Sequence, residues 1–148
     1  MSVRWRLISE AWSLNELAFR LGDVLIALDL LKFKRLKNIS VLENEEELRR
    51  KVLEVRGFLE KLRGEVRYLY DNDLGATPLV EALLEEYGFS DLRRVEMEIV
   101  RVIESIDRIW EGSYSVDDIS KVERLLECLA RRASVRSQEL MIISRKGW

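Results

Sequence analysis

The chain has 148 residues and a mass of 17.4 kDa; 47% of the residues are hydrophobic, 35% are charged, and 25 Lys+Arg against 27 Asp+Glu give a formal charge of −2. That balance excludes a generally basic nucleic-acid binder, and the hydrophobic content excludes a disordered chain. There is no histidine, so histidine is ruled out as general base, metal ligand or pH switch.

The first expected helix, residues 3–36, carries two apolar tracks. Leu7, Leu14, Leu17, Leu21, Val24, Leu28 and Leu31 form one; Trp5, Ile8, Trp12, Phe19, Ile26 and Phe33 form the other. Together they are too broad for one seam. A helix apolar on most sides is buried on most sides, which in a small bundle requires a central position or a second molecule. Arg20, Asp23 and Asp29 interrupt the most apolar stretch and leave Val24–Leu28 as its longest unbroken run. A membrane span needs about 20 residues, so none is expected. Pairing with Arg20 or Lys32 at helical spacing accounts for the two aspartates.

Residues 37–44 are polar and loop-like. A second helix is expected over 45–70, opened by an Asn44/Glu47 capping box. Leu48, Val52, Val55, Leu59, Leu62, Val66 and Leu69 recur on one narrow stripe, as in a coiled-coil seam. Arg49, Arg56 and Arg63 form a basic edge beside that seam, suited to acids on a neighbouring helix such as Glu96, Glu98 or Glu123. Gly57 and Gly64 share the outer face one heptad apart. A glycine inside a helix costs about 1 kcal/mol relative to alanine, so these two point either to close approach of another helix or to local bending.

Asp71 to Thr77 reads as a turn leading into a short helix, 78–87, with Thr77 as N-cap and Pro78 at its first position. Counted from Asp71 as a calcium loop, the places for Asp/Asn, Gly and Glu hold Gly75, Ala76 and Ala82, so that motif fails. Gly88 ends the short helix and Ser90 caps the next, about 91–111, whose seam is Leu92, Val95, Ile99, Val102, Ile106 and Ile109. Glu104 and Asp107, a carboxylate pair at i and i+3 on which a metal-dependent hydrolase could be built, fall on the outer positions of that seam and are expected to face water. Gly112 ends the helix. Ser115 with Asp118 opens the last one, about 116–144, on Ile119, Val122, Leu126, Leu129, Ala133, Leu140 and Ile143, with Arg136 in a slot where the seam expects an apolar residue.

These elements predict an all-α fold in a single domain, 1–148: an up-and-down antiparallel helical bundle of four long helices plus one short helix. Cys128, the only cysteine, has no histidine partner and reads as a buried, inert thiol. No residue set calls for a cofactor or a metal, and no motif indicates an enzyme. A cytoplasmic setting follows from the lone cysteine and the charged N-terminus. One Gln, four Asn and many charged residues hint at a thermophilic source.

The functional expectation is a non-catalytic interaction or scaffold subunit, a homo-oligomer or one component of a larger assembly. Its partner surface would be Trp5, Ile8, Trp12, Phe19, Ile26 and Phe33, with Gly57 and Gly64 as a second contact. Trp110 suits packing within the bundle equally well, and Trp148 is the last residue. The alternative is an accessory subunit that grips nucleic-acid phosphates through basic clusters at 32–37 (Lys32, Lys34, Arg35, Lys37) and at 131–146 (Arg131, Arg132, Arg136, with Arg145 and Lys146). In an up-and-down bundle those clusters lie about 40 Å apart, and cations also favour helix C-termini for dipole reasons alone.

Overall fold

The computed structural model describes residues 2–39 and 43–146. Every regular element among them is helical: α1 (Val3–Leu36), α2 (Glu45–Leu53), α3 (Arg56–Asp71), α4 (Pro78–Tyr87), α5 (Leu92–Glu111) and α6 (Val116–Lys146). The fold is all-α. None of these helices is long and apolar enough to cross a membrane.

Local chemistry sets most of the boundaries. Ser2 caps α1 by accepting from the Trp5 backbone N–H. Pro78 starts α4 behind an extended Thr77. Gly88 and Gly112 end α4 and α5 at φ 66° and 83°, a region that glycine enters without a Cβ penalty. Ser115 and Asp118 open α6 reciprocally: Asp118 accepts from the Ser115 backbone N–H and the Ser115 hydroxyl accepts from the Asp118 N–H.

Three caps differ from expectation; Thr77 holds the N-cap position of α4 but makes no cap bond, its hydroxyl buried without a partner. Asp91, not Ser90, closes the start of α5, accepting from the Arg93 N–H. Asn44 makes no side-chain cap; it sits left-handed at φ 64° rather than in the extended conformation of a capping residue.

The expected helix over 45–70 is also divided. At Val55 the backbone N–H bonds back to Val52, one residue short of α-helical spacing, and α3 restarts with Leu59 bonding to Val55. The seam survives the break, since Val52, Val55, Leu59, Leu62, Val66 and Leu69 are all buried.

Side-chain bonds between helices give their directions. Ser137 donates to the Ala11 carbonyl and Lys32 to Glu123, so α1 and α6 run opposite ways. Arg49 donates to the Trp110 carbonyl, Arg56 binds Asp107 and Arg63 reaches Glu96, so α2 and α3 run opposite to α5. The core lies among Leu21, Leu28, Leu31, Leu59, Ile99, Ile106, Leu125 and Leu126.

The end of α6 departs from the expected seam. Ile143 is exposed and the inward row passes through Ala133, Ser137, Leu140 and Ser144. The two hydroxyls cost little there because each donates to a backbone carbonyl, of Ala11 and Met141 respectively. Arg136 is half-buried beside that row and bonds Glu139, with its Nε enclosed and unpartnered.

Candidate functional site

The first half of α1 meets α6 through small residues, buried Ala11 against Ser137. Its large residues therefore lie to either side. Leu7, Leu14 and Leu17, expected inside, are only half-buried, whereas Leu21, Val24, Leu28 and Leu31 are buried. The second track faces outward: Trp5, Trp12, Phe19, Ile26 and Phe33 are 52%, 61%, 71%, 62% and 50% exposed, while Ile8 is half-buried. These five exposed residues stand at strict seven-residue intervals over about 42 Å of helix. Trp5 and Trp12 pack edge to face on each other, centroids 6.3 Å apart.

Beside the row runs a trough. Asn15, Ala18, Gly22 and Asp23 of α1 and Ser134 of α6 line a cleft of about 470 Å³, walled by Phe19 and Ile26. Sequence reading missed Val3, Leu30 and Leu36, which extend the exposed apolar surface of α1, and Val135 and Ile142 on α6. Their signal was present as apolar residues off the seam phase.

Gly57 and Gly64 are both exposed, and a Cβ on either meets nothing within 4 Å. Nothing inside the chain requires glycine at these positions.

The basic clusters are largely occupied by internal partners. Lys32 bonds Glu123 at 3.0 Å, Lys34 bonds Glu45, and Arg35 donates to the Gly112 carbonyl and lies over the Tyr114 ring. Lys37 is exposed. Arg131 and Arg132 bind Glu86 and Glu85, both at 2.9 Å. The near edges of the two groups are closer than expected, since Arg131 lies eight residues beyond Glu123, roughly 12 Å of rise, whereas Arg145 and Lys146 lie at the far end of α6. The Lys32 ammonium is raised in pKa, first by its bond to Glu123; burial pushes the Glu123 carboxyl up against that bond, with Asp29 adding to the push. Arg20 pairs with Glu16 rather than with Asp23, and Lys32 crosses to α6.

Glu104 is exposed as expected, but Asp107 is not a solvated outer group. It is half-buried and gripped by Arg56 at 2.8 and 3.3 Å. The two carboxylates thus do not converge. No cluster of three or more potential metal-binding side chains occurs among the described residues. Of the acids suited to the basic edge, Glu96 does take Arg63, while Glu98 pairs with Arg101 and Glu123 with Lys32. Cys128 is buried, its Sγ 3.3 Å from the Ala82 carbonyl, and burial raises its pKa above the ordinary thiol value. Trp110 is half-buried with the Arg49 guanidinium 6.0 Å from its ring centre, and Trp148 lies outside the described residues.

The arrangement offers an apolar contact surface; beside it Glu16 pairs with Arg20 and Lys32 with Glu123. No protein-family model, curated protein or solved structure matches the chain.

Proposed function

We propose that the protein is a non-catalytic helical interaction subunit that works through the outer face of α1. The carrying observation is the exposed row Trp5, Trp12, Phe19, Ile26 and Phe33. With about 200 Å² available per large side chain, these exposures amount to roughly 600 Å² of apolar surface. Exposed apolar patches on monomers are usually no larger than about 300–600 Å², and Leu30 and Leu36 add to this one. In this reading the chain is one up-and-down bundle in which α2 and α3 count as a single interrupted rod and α4 as the short helix. The opposed directions of α1 and α6, and of α3 and α5, support that arrangement. The exposed Gly57/Gly64 face of α3 is a second contact in the same scheme. A cytoplasmic setting fits a single cysteine held as a buried thiol.

The test is solution mass by light scattering, on the purified chain and on the chain in its native extract. The reading expects a mass above 17.4 kDa in at least one of them. Trp5→Ser combined with Trp12→Ser should lower that mass while helicity by circular dichroism persists. A mass unchanged by the double substitution removes α1 as the contact.

A further inference from the structure

The row on α1 is a ridge and the cleft beside it is a furrow. Phe19 and Ile26 rise beside Asn15, Ala18, Gly22, Asp23 and Ser134, with the Asp23 carboxylate at the furrow's edge, and a Cβ added at Gly22 meets nothing within 4 Å. A ridge of one molecule laid into the furrow of a like surface gives close packing without new cavities. A partner that covers the row needs an apolar seam of the same spacing and about the same 42 Å length. This chain's own α1 provides one. The charges flanking the row are mixed, with Arg4 and Lys32 near its ends and Glu16 and Asp23 in its middle, so the row selects no strongly acidic or basic partner. Two copies would remove roughly 1,200 Å² of apolar surface, which reaches the standard size of a stable interface.

We propose that this face docks on the same face of a second copy, with the two α1 helices antiparallel about a two-fold axis at Phe19–Gly22. The proposal rests on the reading of the protein as an interaction subunit and names the partner. In this register Phe19 stands over Gly22 of the second copy, Ile26 over Asn15, Phe33 over Ile8, and Trp5 over Leu36. Trp12 stands over Asp29, which offers a carboxylate to the indole N–H. Each larger side chain meets a smaller one. A parallel pair instead stacks Trp5 on Trp5 and Gly22 on Gly22, leaving a gap at the centre, and brings Lys32 toward Lys37. At the edges of the antiparallel pair Glu16 approaches Asp23 of the second copy. Arg20, bonded to Glu16 at 2.7 Å on the α2 side of the helix, partly neutralises Glu16 in that approach.

Sedimentation equilibrium of the purified full chain should give twice 17.4 kDa. Phe19→Asp alters an exposed side chain and Gly22→Leu fills an open furrow, so both should keep the monomer fold while weakening self-association on the order of a hundredfold. Spin labels at Ser9→Cys, in a Cys128→Ser background, should lie about 35 Å apart in the antiparallel pair, from the rise between the two levels. A parallel pair holds them within about 20 Å, since packed helix axes are only 8–10 Å apart. A chain monomeric at its highest soluble concentration, a dimer indifferent to both substitutions, or the short label distance overturns the proposal. If the pure chain is monomeric but heavier in native extract, and Trp5→Ser/Trp12→Ser abolishes that excess, the second copy is refuted while the interaction reading stands.

Discussion

Asp118 shows how much one side chain can hold. It sits 7% exposed at the start of α6 and accepts from Ser105, from Arg108 at 2.7 Å, and from the backbone and hydroxyl of Ser115. Burial alone would raise its pKa, but the Arg108, Ser115 and Ser105 bonds win and hold it at about 2, against an ordinary 3.8. A depressed acid stabilises the fold fully above its unfolded value, and that contribution fades as pH falls through the folded one. The Asp118 share of stability should thus be constant above about pH 4 and decline between roughly pH 4 and 2, as measured by urea unfolding at stepped pH. Asp118→Ala should cost about 2–3 kcal/mol near neutrality, because it removes a cap and strands Arg108 and Ser105, and should flatten that acid decline. The Ser115/Asp118 cap is legible in the sequence because a cap is local. Arg108 and Ser105 are not, because the turn at Gly112 brings them in from the preceding helix.

At the level of the helix, periodicity announces the elements and small residues decide their contacts. The limits of α1 follow from the apolar pattern, and those of α4 from Pro78 at its start and Gly88 at its end. The interruption of 45–70 does not, because Val55 keeps its place on the apolar stripe while its hydrogen bond shortens. The end of α6 misleads for a related reason: Ser137 and Ser144 look polar, yet their bonded hydroxyls let them pass inward, and Ile143 is displaced to the surface. Gly57 and Gly64 allow a direct measurement, since both have open space around the missing Cβ. Gly57→Ala and Gly64→Ala should each stabilise the isolated fold by about 0.5–1 kcal/mol in urea titration. If either substitution destabilises, the glycine is required by the fold itself and that face of α3 no longer argues for a partner.

The whole molecule is shaped by a first helix that serves two faces. Leu21, Val24, Leu28 and Leu31 anchor it to the core, while the heptad row on its other side is left exposed. The surplus of apolar surface on residues 3–36 is visible in the sequence, but its division into a buried second half and a more open first half depends on the small Ala11–Ser137 contact, which no hydropathy pattern reveals. Because that first half is held mainly by α6, amide hydrogen exchange in a monomeric variant such as Phe19→Asp should be fastest over residues 3–10 and slowest over 21–31. Equal protection along α1 would mean that the first half is as firmly held as the core.

A helix that serves two faces also carries two separable histories. Positions 21, 24, 28 and 31 answer to folding, whereas positions 5, 12, 19, 26 and 33 would answer only to the proposed contact. A lineage that abandoned the association would be free to turn the second set to Lys, Glu and Gln while leaving the first untouched, and one that kept it would vary both sets only within apolar limits. The drift of those five positions among descendants is therefore a record of whether the contact has been worth keeping.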